Sequence, residues 1–234
     1  MDVWQITGFT IAAALIATLV MLPPGLLLAW LLARQRFRGR ALVETLVSLP
    51  LVMPPVATGL ILLMLLAPRG PIGGILAQAG IEIVFTWKAV VLAMAVMGLP
   101  LFVRTARAGM EQVDRRFEAV ASTLGAKPLR VFFTITLPLA APAVSAGAVL
   151  GFARAIGEFG ATIVIAGSLP GTRTLAVSIY TFAETGRDRE AAILLAVSAA
   201  IAFVALYLSN RIASTSARKE QALGQAAGRT GMRA

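Results

Sequence analysis

The residues that usually do chemistry are scarce in this chain. It has no cysteine and no histidine, and only 11 Asp and Glu among 234 residues. Thiolate chemistry and disulfides are therefore absent, as are the commonest general base and metal ligand. No G-x-x-x-x-G-K-[ST] run is present to cradle a nucleotide phosphate. Catalysis by this chain is not expected, and neither is a resident metal or cofactor. What remains is a short polar segment, Phe117 to Gly125, a few polar groups beside apolar runs, and prolines where apolar helices would otherwise run straight.

The segment Phe117 to Leu124 reads as a short helix of small residues, stopped at Gly125, a residue suited to a left-handed cap. Small side chains allow close approach, and such a helix suits insertion into a groove of a partner protein. Glu158 borders an apolar run, where a carboxylate is a functional candidate by default. Its charge would repel an anion, so the favoured reading is a pair with Arg154, one turn earlier, or a residue that ends the span at the outer surface. Arg104 and Arg154 could attract an anion, although Arg104 is expected to snorkel to the membrane interface. Ser145, Thr162 and Ser178 could offer hydroxyl donors. Pro50, Pro54, Pro55, Gly157, Glu158, Gly160 and Thr162 are the candidates for lining a pathway, since broken helices free backbone groups that can face a wet cavity.

The elements that hold these residues are apolar. Hydrophobic residues make up 58% of the chain and charged residues 14%, with mean hydropathy +0.84. Soluble domains carry about 25% charged residues, so a soluble enzyme, a disordered chain and a nucleic-acid-binding domain are excluded. Spanning a bilayer takes roughly 20 apolar residues. The sequence predicts five spans, at about 9–33, 45–68, 86–106, 131–153 and 191–210, with Pro138 and Pro142 breaking the fourth. Residues 67–86 are rich in Pro and Gly and read as a loop or short surface helix. Residues 107–130 form a polar loop. The stretch 160–183 reads as a re-entrant or surface helix at the outer side, and residues 213–234 as a polar, disordered cytoplasmic tail.

The net charge is +10. Its bases lie between apolar runs, so they read as orientation signals for the membrane. Fifteen of the 21 Lys and Arg fall in 34–44, 104–130 and the tail from Arg211. The positive-inside rule then predicts the N-terminus outside and the C-terminus in the cytoplasm.

Residues 118–138 resemble the cytoplasmic EAA loop of ATP-binding-cassette importer permeases. Its pattern is Glu-Ala-Ala, three residues, Gly, nine residues, Ile, one residue, Leu-Pro. Counted from Gly125, Ile135, Leu137 and Pro138 match. The Glu-Ala-Ala positions fall on Ala119, Val120 and Ala121, and the acid stands one place early, at Glu118. Residues 49–56, 130–138 and 152–162 are similar to the molybdate permeases of that superfamily. Sulfate/thiosulfate permeases share much of the pattern. The likeness covers most of residues 5–212.

The resemblance implies an all-α, polytopic type I importer permease over residues 1–212. Glu118, Ala119, Val120, Ala121, Ser122, Thr123, Leu124 and Gly125 would couple it to an ATPase. It implies two copies of the permease, two ATPase subunits and an external oxyanion-binding protein, in a bacterial-type inner membrane. The pathway would carry molybdate, and possible rivals are sulfate/thiosulfate or tungstate permeases. A self-contained channel or secondary transporter would need coupling-ion ligands, and the spans hold almost no carboxylates.

Overall fold

In the computed structural model the backbone is described for residues 2–231 and side chains for residues 2–211. Described elements are all helical. They are α1 (Val3–Arg34), α2 (Arg40–Val52), α3 (Pro55–Leu66), α4 (Gly73–Gln78), α5 (Trp87–Gln112), α6 (Arg115–Thr123), α7 (Pro128–Val131), a π-helical turn (Phe132–Thr136), α8 (Leu137–Ile156), α9 (Gly160–Ala166), α10 (Leu175–Glu184) and α11 (Asp188–Gly231).

Four stretches are long and apolar enough to cross a bilayer: Val3–Arg34, Trp87–Gln112, Pro128–Ile156 and Asp188–Arg211. The expected second span is a bent pair instead, with α2 and α3 meeting at 116°. The break falls at Met53–Pro54, where the backbone is extended, and not at Pro50, which stays inside α2. Two successive prolines remove two N–H donors, and the residue before a proline is pushed out of the helical region. The fourth span is a second departure, because Pro138 and Pro142 do not divide it. Pro138 has no N–H to offer, and the chain widens to longer-range bonding just before it, with Leu137 N donating to Phe132 O.

α5 is the centre of the bundle. Val90, Met94, Met97, Phe102 and Met110 on it are essentially inaccessible. Close packing there depends on small residues: a Cβ on Gly98 would lie 2.9 Å from the Gly151 carbonyl of α8. In membranes such contacts let backbones approach and gain dispersion energy where no hydrophobic driving force exists between helices.

The two ends of the bundle can be told apart. At one end α1, α5, α6 and the π turn meet, and Arg40 at the start of α2 lies 3.7 Å from Glu111 of α5. At the other end the Phe85 N–H donates to Ile165 O of α9 (3.0 Å), and the Leu175 N–H of α10 donates to Thr10 Oγ1 of α1 (2.8 Å). Both α9 and α10 thus gather at the end opposite α6. Five passages, counting the bent pair as one, leave the start of α1 and the apolar end of α11 at opposite ends. The sequence predicts disorder from residue 213, whereas the backbone continues α11 to Gly231, through a stretch rich in the helix formers Ala, Arg, Lys, Glu and Gln. Residues 232–234 lie outside the described residues.

Candidate functional site

The polar loop folds as the sequence predicts. α6 begins at Asp114, whose side chain accepts from Arg116 N at 2.9 Å, a cap contributing about 1 kcal/mol. It ends in a two-bond cap: Ala126 N donates to Ala121 O (3.0 Å) and Gly125 N to Ser122 O (3.0 Å). This geometry needs a left-handed residue, and Gly125 has φ +82°.

α6 projects from the bundle with one apolar stripe uncovered. Phe117, Val120 and Leu124 are 57%, 60% and 84% exposed, at spacings of three and four residues that share a helix face. Ala119, Ser122, Thr123 and Gly125 are also exposed, and Ala121 is half-buried. Along this face the helix is apolar and open.

Glu118 points elsewhere. Its Oε1 accepts a hydrogen bond from Thr136 Oγ1 at 2.6 Å and lies 2.9 Å from Arg34 Nε. The second contact is a close charge contact, not a well-aimed hydrogen bond. Arg34 also donates from Nη2 to Val113 O (2.9 Å), and Arg115 Nη2 returns to Ala33 O (3.4 Å). Sequence reading missed Arg34 and Thr136 as partners. Arg34 was visible only as one of four closely spaced arginines, and nothing local points to its contact with Glu118, which is 84 residues away.

The pathway candidates divide into two groups. Pro54 and Pro55 form the bend between α2 and α3 and are exposed. Pro55 packs on Gly160: a Cβ there would lie 2.8 Å from Pro55 Cβ. Glu158 is 1% exposed, pairs with Arg154 (Nη1–Oε2 2.7 Å) and accepts from Ala161 N (2.7 Å). The expected Arg154 pairing is therefore present. Thr162 is fully buried, and its hydroxyl has no partner among the described residues; the same holds for Ser178 and, on α3, for Thr58. Pro50 stays within α2, and Gly157 is the exposed C-cap of α8. Arg104 is exposed. Its Nη2 donates to Ser48 Oγ of α2 at 3.1 Å. One turn on, Arg107 takes both nearby carboxylates, Glu44 (2.7 Å) and Glu111 (2.8 Å). Among the described residues no group of three or more carboxylates could hold a metal ion.

Fold and site define a polytopic helical membrane protein with a capped, apolar-striped helix projecting from one end. The chain belongs to the binding-protein-dependent transport system inner membrane components, whose family pattern matches residues 25–219. It is 45% identical over 216 residues to the molybdenum transport system permease protein ModB of Escherichia coli K12, covering 91% of this chain and 94% of that protein. The sulfate transport system permease protein CysT of Salmonella typhimurium is 41% identical over 160 residues, covering 68% of this chain and 58% of that protein. Among solved structures, a bacterial ABC transporter involved in import of the acidic polysaccharide alginate superimposes with TM-score 0.68 at 19% identity, covering 92% of this chain and 78% of that one. At that identity the likeness concerns the fold.

Proposed function

We propose that this chain is the membrane permease subunit of an ATP-driven importer for molybdate, with tungstate as a chemically equivalent cargo. The observation that carries this reading is the near full-length similarity to a molybdenum transport permease. The sulfate permease similarity covers less of both proteins, so sulfate is the second reading. The chain is not an enzyme; ATP hydrolysis belongs to a separate ATPase, two copies of which would dock on two copies of this permease. An external oxyanion-binding protein would deliver the anion.

The reading of residues 118–125 as the ATPase-coupling segment is supported by the exposed stripe of α6 and its capped, rigid end. The face Phe117–Val120–Leu124 would enter a groove of the ATPase, with Ala119, Ala121, Ser122 and Thr123 permitting close approach. The bend at Pro54–Pro55, packed on Gly160, is the candidate pathway wall. Glu158 serves there as a cap and ion-pair partner, not as an anion ligand. ATP closure of the ATPase dimer would displace α6, and the bundle would alternate its access by population shift.

The family is one of inner-membrane components. For orientation, the support is charge: fifteen of the 21 bases fall at 34–44, 104–130 and the tail, on the α6 side of the chain. The α6 end is then cytoplasmic and the start of α1 external, with residues 1–212 as the transport domain and 107–130 as its coupling loop.

The test is reconstitution in liposomes with the ATPase and the binding protein. ATP-dependent molybdate uptake exceeding sulfate uptake is expected. Uptake without ATP would remove the importer reading, and sulfate preferred over molybdate would move the chain to the second reading.

A further inference from the structure

A helix that transmits motion must be fastened to what it moves, and α6 is fastened to the end of α1 through Arg115 and Glu118, with Glu118 also reaching Thr136. Glu118 lies about 120° round the helix from the exposed stripe, at 3.6 residues per turn. Its side chain is 19% exposed and that of its partner Arg34 is 6% exposed. Arg34 is the last residue of α1, and its guanidinium also holds the carbonyl of Val113, the C-cap of α5. Thr136, 1% exposed, closes the π turn at the head of α8. Four elements therefore meet at one carboxylate and one guanidinium.

Resting on the importer reading above, we infer that Arg34, Glu118 and Thr136 form the link through which displacement of α6 reaches α1 and α8. Glu118 is then a positioning residue and not a docking contact. Two features favour this role over simple anchorage. Little water reaches the pair, so the charges attract strongly and neither can be left alone at low cost. And the link ends on a π turn, a segment type that often marks functional deformation in helices. Packing runs alongside it: Trp30 of α1 meets Phe132 of the turn edge to face, with centroids 5.8 Å apart. A pull on Thr136 thus acts where α8 can change its bonding pattern.

The experiment uses the complete transporter in liposomes and measures molybdate uptake and ATP hydrolysis in the same vesicles. Arg34→Gln and Thr136→Val are the variants, since neither lies on the exposed stripe. For Arg34→Gln the expected result is about a tenfold fall in molybdate carried per ATP, within the usual range of a coupling free energy. A smaller fall is expected for Thr136→Val, and the ATPase should copurify with both variants as with the unaltered permease. The double variant Arg34→Gln/Glu118→Gln replaces the ion pair by two amides and should recover part of the ratio. Should Arg34→Gln fail to reach the membrane, Thr136→Val keeps the ion pair and carries the test. Unchanged uptake per ATP in Thr136→Val and in any Arg34→Gln that inserts would overturn the link. So would loss of ATPase copurification, which would make this a docking site, or a double variant no better than Arg34→Gln. Absence of ATP-dependent uptake by the unaltered permease would instead defeat the importer reading itself.

Discussion

Arg154 and Glu158 stand one helical turn apart and close to 2.7 Å, and the same carboxylate caps α9 through Ala161 N. The pair straddles the C-cap of α8 at Gly157 and fixes how the chain turns into α9. With Glu158 1% exposed, removing it leaves Arg154 without its counter-charge and α9 without its cap. Glu158→Ala should lower stability by about 3 kcal/mol, read as a lower midpoint of thermal unfolding in detergent. Glu158→Gln keeps an acceptor for Ala161 N and should lose less. Equal midpoints for Glu158→Ala and the unaltered chain would show that the pair does not hold this turn.

Gly59 of α3 faces Ala161 of α9 so closely that a Cβ would lie 2.7 Å from Ala161 Cα. Ala161 Cα and the Ala161 carbonyl oxygen, 2.8 Å away, are both backbone, so neither can swing aside. Gly59→Ala should force α3 off α9 and cost about 2 kcal/mol by overpacking. Because α3 follows the bend at Pro54–Pro55, transport should fall as well. The check is unfolding together with uptake; a variant unchanged in both would mean that α3 and α9 need not stay in contact.

Much of this arrangement was legible in residue order. Apolar runs of spanning length, the glycine that stops α6 and the i, i+4 pairing of Arg154 with Glu158 are all local, and local patterns survive folding. The position of the break in the second span was less legible, because Pro50 and Pro54 each permit a kink. The break falls at Met53–Pro54, ahead of the tandem Pro54–Pro55, while the tandem Pro23–Pro24 stays inside α1, so proline content alone does not place it. The partners of Glu118 could not be read at all. Arg34 and Thr136 reach it through tertiary packing, and no sequence period links them. The hydrogen bond from Arg104 to Ser48 is hidden for the same reason, since it depends on how α2 lies along α5.

Orientation can be read with single cysteines, because the chain has none of its own. Gln35 follows α1 at the α6 end, and Ala79 follows α4 beyond the bent pair; both are exposed. A membrane-impermeant thiol reagent applied to intact cells should label Ala79→Cys and spare Gln35→Cys until the membrane is permeabilised. The reverse pattern would turn the protein over and put α6 outside, away from any source of ATP.

The stripe on α6 gives the sharpest distinction between docking and fastening. Val120→Glu and Leu124→Asp each put a charge on a face that is 60% and 84% exposed at those residues. Neither side chain touches the bundle enough to unfold it, so insertion into the membrane should be unchanged. If the stripe enters an ATPase groove, an unpaired buried charge there should reduce copurified ATPase at least about tenfold. Gly125→Val is different. No atom lies within 4 Å of the added Cβ, but φ is +82°, so its cost is about 1–2 kcal/mol of left-handed backbone strain and not a clash. It should fray the end of α6 and weaken docking only in part. Full ATPase copurification with Val120→Glu and Leu124→Asp would mean that the partner's groove lies elsewhere on the loop.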